Sequence, residues 1–146
     1  MANESLLPAV EVPDFEEEKE VYDVQYRRSI AWDPLIGDFV RDSTGKVAEA
    51  NGKEAYTTWC YKSILTERYN CLAYSDEIGA EMERAMSNDD IATVESMVRR
   101  TVTEALLVNP RTEAVRDISF RWDGDEMHCS ITVKGVEFDD DIVIEI

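Results

Sequence analysis

The stretch that decides the fold runs from residue 91 to residue 133 and reads IATVESMVRRTVTEALLVNPRTEAVRDISFRWDGDEMHCSITV. Its first half carries apolar residues at helical spacing, which predicts a helix over residues 88–108. Pro110 disfavours the helical conformation at Asn109, so we expect that helix to end there. Beyond the proline, apolar and polar residues alternate, and this is the period of a half-buried strand.

The remainder of the chain after Pro110 extends the alternating pattern. Asp123-Gly124-Asp125 has the composition of a hairpin turn between two strands. Gly135 breaks the second strand, and a last alternating segment closes the chain at Ile146. These features predict an antiparallel sheet of three strands, apolar on one face and polar on the other.

The segments before residue 91 predict shorter elements. Residues 21–50 are rich in strand and turn formers, with a hairpin tip at 42–45. An apolar face over residues 53–66 predicts a helix, and a second apolar stripe predicts a short helix over 77–86 with Ser75 as its N-cap. The order of strands, two to three helices and sheet is typical of an α+β domain.

The first twenty residues differ from the rest in composition. Residues 1–20 hold seven acidic residues against one lysine, and two prolines oppose a helix there. We interpret them as an extended acidic arm that either orders against a partner or frays at the terminus. Residues 21–146 are then expected to form a single domain.

The net charge of −17 argues against some classes of partner. Such a chain repels phosphate backbones and anionic lipid surfaces, so we expect no nucleic-acid or membrane partner. The acidity serves solubility, and it also favours basic patches on protein partners. No signal peptide or membrane-spanning run is evident, which predicts folding in a cytoplasm.

The sequence gives little support for metal or thiol chemistry. Cys60, Cys71 and Cys129 are odd in number and irregularly spaced, which is typical of reduced thiols in a cytosolic protein. The single histidine, His128, cannot complete a zinc site with them. We therefore predict no metal and no cofactor.

Glu67 is the best candidate for a catalytic acid. It could pair with Asp76 or Glu77 in a glycosidase-like arrangement. The adjacent Arg68 would lower a carboxylate pKa, whereas a general acid needs it raised. The favoured interpretation is a structural ion pair between Glu67 and Arg68, and no catalytic residue is predicted.

Two further features have both a structural and a functional interpretation. Arg111, after the long helix, either bonds the carbonyls at the helix C-terminus or projects into a neighbouring subunit. The closing segment offers a sheet edge, where the aspartates at 139–141 either block aggregation or border a site for a foreign strand. The apolar residues assigned to that closing strand are Val136, Phe138, Ile142, Ile144 and Ile146.

Several of these motifs, in this order, resemble the XkdS-like baseplate wedge proteins of contractile phage tails. These proteins are similar to a wider sheath-initiator family, long labelled lysozyme-like, that carries an acid-Pro-Arg motif. The resemblance extends from about Trp32 to the C-terminus. The residues that carry it are Trp32-Asp33, Gly37-Asp38-Phe39, Trp59, Leu65-Thr66-Glu67-Arg68-Tyr69, Tyr74, Gly79 and Asn109-Pro110-Arg111.

The resemblance implies a structural subunit of the baseplate wedge, assembled in the bacterial cytoplasm and present in six copies around the hub and tube of the tail. It implies that the closing strand contacts the sheath protein and nucleates the sheath by strand exchange. It also assigns Asn109, Pro110 and Arg111 to the junction with other wedge proteins, with Asn109 replacing an acid common in relatives. The lysozyme label leaves a peptidoglycan hydrolase as the alternative.

Overall fold

A computed structural model describes residues 25–146, and these residues form an α+β fold, as predicted. The acidic arm at 1–20 and the strand-prone residues that follow it, to 24, lie outside the described residues. The elements in chain order are β1 (Ser29–Ile30), β2 (Trp32–Asp33), β3 (Asp38–Phe39), β4 (Glu49–Ala50), α1 (Gly52–Leu65), α2 (Met82–Met86), α3 (Ile91–Leu107), β5 (Thr112–Asp123), β6 (Glu126–Gly135) and β7 (Ile142–Glu145).

Two small antiparallel ladders open the described chain. β1 pairs with β4, and β2 pairs with β3 so that Trp32 lies opposite Phe39. The predicted hairpin tip is present, because one Asp42 carboxylate oxygen accepts hydrogen bonds from the Thr44 amide, the Thr44 hydroxyl and the Lys46 amide. The hairpins pack near α1, whose Lys62 ammonium lies 5.4 Å from the Phe39 ring centroid.

The two long helices follow the predicted apolar faces. α1 buries a face that includes Tyr56, Cys60 and Ile64, and α3 buries valines at helical spacing. The Asp90 side chain caps α3 by accepting the Thr93 amide at 2.9 Å, which satisfies a free donor of the first turn. The helix therefore begins at Ile91, three residues later than predicted.

The predicted helix over 77–86 is wrong in its first half. Only Met82–Met86 is helical, so Ser75 caps no helix. Tertiary pairing overrides the apolar stripe here, because the Ala80 amide donates to the Thr66 carbonyl at 2.9 Å and the Ala80 carbonyl accepts the Arg68 amide at 3.0 Å. Gly79 enters this pairing with φ +97°, a conformation that no helix contains.

The three-stranded sheet has the order β5-β6-β7 and is antiparallel throughout. Asp123 faces Glu126 across a two-residue loop in which Gly124 has φ +62°. The buried positions of β6 and β7 include Cys129, Ile131, Val133, Ile142 and Ile144. This face packs with α1 and α3 into one core, while the opposite face meets solvent.

Tyr56 links several parts of that core. Its ring lies 4.9 Å from the Tyr26 ring and 5.9 Å from the Phe138 ring, measured between centroids. Its hydroxyl shares a 2.9 Å hydrogen bond with the Thr112 hydroxyl at the start of β5. A single α1 side chain thus joins the start of the described chain, the α3–β5 turn and the β6–β7 connection.

Candidate functional site

The backbone groups at the outer edge of β7 form the first candidate site. Cys129 and Ile146 exchange both of their amide–carbonyl bonds, at 2.7 and 3.0 Å. In an antiparallel ladder such pairs alternate with pairs whose amides and carbonyls point away from the partner strand. Ile142 and Ile144 therefore bond inward to β6, and Val143 and Glu145 direct their backbone groups outward.

The side chains of β7 alternate in the same way. Val143 is 56% exposed on the solvent face, whereas Ile142 and Ile144 are buried in the core and Ile146 is partly buried against it. The predicted sheath-contact strand therefore needs correction at its start. Val136 and Phe138 belong to the turn region before β7, and the Phe138 ring packs against Tyr56.

A side chain from α1 reaches the outer edge of β7. The Tyr61 hydroxyl accepts the Glu145 amide at 3.3 Å, although the two residues are 84 positions apart. Among the described residues, the Val143 amide and carbonyl and the Glu145 carbonyl have no such partner. The edge is consequently open at three backbone groups and occupied at one.

The opposite edge of the sheet, on β5, has a different environment. The two-residue hairpin loop makes Asp123–Glu126 a bonded pair, so Ile118, Phe120 and Trp122 direct their backbone groups outward. Their side chains lie on the core face beneath α3. The Trp122 indole donates to the Glu95 carboxylate at 2.8 Å, and the Arg99 guanidinium lies 5.4 Å from the Phe120 ring centroid.

Asn109-Pro110-Arg111 forms the turn between α3 and β5. The buried Asn109 side chain accepts the Arg111 amide at 3.0 Å and donates to the Tyr26 hydroxyl at 2.6 Å. The Arg111 guanidinium lies 5.1 Å from the Tyr26 ring centroid, so at least part of its interaction is within this chain. Sequence reasoning missed Tyr26, whose hydroxyl pKa is raised chiefly by burial.

Glu67 and Arg68 have separate partners, so the predicted ion pair between them is wrong. The Glu67 carboxylate accepts the amides of Met82 and Glu83, at 3.0 and 3.2 Å, and so caps the start of α2. The Arg68 guanidinium forms an ion pair with Glu104 on α3 at 3.3 Å and donates to the Gly79 carbonyl. Both side chains connect the 66–81 segment to helices.

The thiols and the histidine are dispersed. Burial raises the pKa of the Cys60 thiol to about 12 and that of Cys129 to about 11, while Cys71 is exposed. His128 lies exposed on β6 opposite Arg121. Within residues 25–146, no three His, Cys, Asp or Glu side chains form a group that could hold a metal ion. Over the same range, no helix is both long and apolar enough to cross a membrane.

An open groove of about 630 Å³ adjoins the C-terminal sheet. It is lined by residues of all three strands of the C-terminal sheet, including Ser119, Ser130 and Glu145, and by Pro34 and Leu35 of the β2–β3 turn. The Asp33 carboxylate fixes that turn by accepting the Leu35 amide at 2.9 Å. The groove thus adjoins the outer edge of β7 through Glu145.

Comparison with known proteins gives two matches. The family model described as contractile injection system sheath initiator matches residues 28–137. The chain is also similar to the phage-like element PBSX protein XkdS of Bacillus subtilis (strain 168). The two are 29% identical over 134 residues, which covers 89% of this chain and 88% of that protein.

Proposed function

The chain belongs to the contractile injection system sheath initiator family, and from this premise we propose that its C-terminal sheet seeds the tail sheath. Family membership gives the coarser role, that of a structural component of a contractile tail. The proposed mechanism is that a strand of a sheath subunit pairs with the outer edge of β7. The observation that carries it is the row of outward-facing backbone groups at Val143 and Glu145.

Strand addition suits this edge for a physical reason. Unpaired amides and carbonyls at a sheet edge are a template for another chain, and backbone pairing supplies affinity without a deep pocket. β7 itself is held in register by its bonds to β6 and by the buried side chains of Ile142 and Ile144. The template is therefore ordered before a partner arrives, which lowers the entropy cost of pairing.

The position in the particle is also part of the proposal. We place the subunit in the baseplate wedge of the virion tail, in six copies around hub and tube proteins, after assembly in the bacterial cytoplasm. Asn109-Pro110-Arg111 would contact other wedge proteins, because this turn lies outside the sheet and is held rigid by Tyr26. No observation on the described residues favours a hydrolase, since two backbone amides bind the Glu67 carboxylate.

The proposed function is tested by changing one outward-facing amide in assembled tails. Val143→Pro removes that donor, and an edge strand tolerates proline where the amide faces away from its neighbour. Val143→Thr is the matched control, because it keeps the amide and the branched shape. Deletion of residues 136–146 is a poor test, since it would remove Ile142 and Ile144 from the core.

We expect electron micrographs of Val143→Pro particles to show baseplates and tubes with few or no sheaths. Val143→Thr particles should carry sheaths of normal number and length. Thermal unfolding of both purified variants checks that the subunit still folds. Normal sheaths on folded Val143→Pro particles would refute strand addition at β7.

A further inference from the structure

The outer edge of β7 is partly closed in the free chain. The Glu145 amide points outward, where an added strand would place a carbonyl, and the Tyr61 hydroxyl holds that position at 3.3 Å. Two positions back, the Val143 amide has no partner among the described residues. A partner strand must therefore displace the Tyr61 hydroxyl to bond the Glu145 amide, whereas the Val143 amide is free to bond it at once.

The charge around this edge restricts the partner further. Between residues 136 and 146 the chain carries five carboxylates and no lysine or arginine. None of the five forms an ion pair with a side chain in the described part of the chain, although the Glu137 carboxylate accepts the Tyr26 amide at 3.2 Å and the Lys134 ammonium donates to the Asp139 carbonyl. The acidic residues are Glu137, Asp139, Asp140, Asp141 and Glu145, and all are exposed.

The β5 edge provides a contrast within the same sheet. Residues 113–123 carry three acids and two arginines, so their charges nearly balance. Among the described residues, no side-chain hydroxyl bonds the outward-facing backbone groups of β5 as the Tyr61 hydroxyl bonds the Glu145 amide. The two edges of the sheet thus differ both in charge and in the presence of a displaceable cap.

We propose that the β7 edge is a gated acceptor for a cationic strand, with the Tyr61 hydroxyl as the gate at the Glu145 amide. This inference rests on the proposed function and specifies its partner chemistry. A strand bearing lysine or arginine on its solvent face is attracted to the Glu145 carboxylate on β7 and to the exposed aspartates at 139–141 that precede the strand. An acidic or neutral strand gains too little from the edge to displace Tyr61, so the gate suppresses pairing between copies of this acidic chain.

Two labelled synthetic heptapeptides test this inference with the full chain. One alternates valine with lysine, and the other alternates valine with glutamate. Fluorescence anisotropy measures their binding to the native protein, to Tyr61→Phe and to Tyr74→Phe. Tyr74 is the matched control because it is an exposed tyrosine that lines a different groove, beside Trp59, Ser63 and Ala105. Amide hydrogen exchange identifies the edge that is occupied.

We expect the lysine peptide to bind at least about tenfold more tightly than the glutamate peptide, and less tightly as salt rises. Tyr61→Phe should strengthen its binding about fivefold, which corresponds to one net hydrogen bond of about 1 kcal/mol. Tyr74→Phe should leave it unchanged. Bound peptide should protect the Val143 amide, and without peptide Tyr61→Phe should speed exchange at Glu145 alone.

Four results would each overturn the inference. If the lysine peptide does not bind, or if both peptides bind equally well, the β7 edge does not select a cationic strand. If Tyr61→Phe and Tyr74→Phe change the affinity of the lysine peptide equally, the Tyr61 hydroxyl is not a gate. If bound peptide protects the amides of Ile118, Phe120 and Trp122 from exchange instead of that of Val143, the peptide binds at β5. If the peptides behave as expected while Val143→Pro tails keep normal sheaths, the proposed function fails and the selectivity of the edge stands.

Discussion

Replacing Gly79 with alanine should destabilise the protein far more than its position outside any helix or strand suggests, because Gly79 is buried. An added Cβ would lie 2.5 Å from the Thr66 carbonyl oxygen and 3.2 Å from the Arg68 amide nitrogen. Both atoms belong to the backbone, so they cannot rotate away as a side chain would. Gly79 also has φ +97°, a conformation that costs an alanine about 1–2 kcal/mol by itself.

The matched control is Gly124→Ala in the β5–β6 loop. Gly124 has φ +62°, and no heavy atom lies within 4 Å of the position of an added Cβ. This variant should therefore lose only the conformational part, about 1 kcal/mol. We expect Gly79→Ala to lose about 3 kcal/mol, because the contact must force apart the pairing of Thr66 and Arg68 with Ala80.

Urea unfolding followed by tryptophan fluorescence measures the free energy of unfolding of both variants. The difference of about 2 kcal/mol should also appear as a melting temperature roughly 4–8 °C lower for Gly79→Ala than for Gly124→Ala. If the two variants unfold within about 0.5 kcal/mol of each other, the close approach at Gly79 does not constrain the 66–81 segment, and the pairing of Thr66 and Arg68 with Ala80 does not depend on a glycine there.

Three other outcomes follow from the described contacts. Glu67→Ala should lower the free energy of unfolding by about 1–2 kcal/mol because it uncaps α2, while Glu67→Gln, which keeps an acceptor oxygen, should lose less than half of that in the same urea titration. A thiol-reactive dye at pH 8 should label Cys71 rapidly, and should label Cys60 and Cys129 only after unfolding. The reason is that burial excludes the dye from Cys60 and Cys129, and their raised pKa values of about 12 and about 11 suppress the reactive thiolate. Labelling of all three cysteines at one rate would contradict this. The hydrogen bonds from Thr93 lower the pKa of Asp90, so its contribution to stability is complete above the unfolded pKa of about 3.9 and is lost as pH falls through the lower folded value. Asp90→Ala should therefore make the melting temperature depend less on pH over that interval. An unaltered pH dependence of the melting temperature would contradict this.

The sequence predicted the elements that depend on local periodicity. α3 and the first two strands of the C-terminal sheet fall close to where the apolar spacing puts them, because a buried face imposes its period directly on the chain, whereas the last strand begins at Ile142 and excludes Val136 and Phe138. The α+β class followed from their order. The resemblance to the sheath-initiator family, which rested on short motifs, is confirmed by the family match over residues 28–137.

Contacts between distant residues were beyond such reasoning. Glu67 and Arg68 are neighbours in sequence, yet their partners lie 15 and 36 residues away, on α2 and α3. The segment 77–81 was assigned to a helix because its apolar stripe is real, but bonds to Thr66 and Arg68 determine its backbone. The contact between Tyr61 and Glu145 joins α1 to the last strand and leaves no local trace in either segment.

The irregular first half of β5 limits the length of any foreign strand that pairs with the outer edge of β5. Register shifts lie between Thr112 and Ala114 and between Val115 and Asp117, whereas pairing from Asp117 to Asp123 is regular. Those seven residues span about 23 Å. Because a bulged strand bends and twists, a visiting chain can follow the pleat only along that distance. The two bulges therefore limit pairing between β5 and a visiting strand to residues 117–123, well short of the Asn109-Pro110-Arg111 turn.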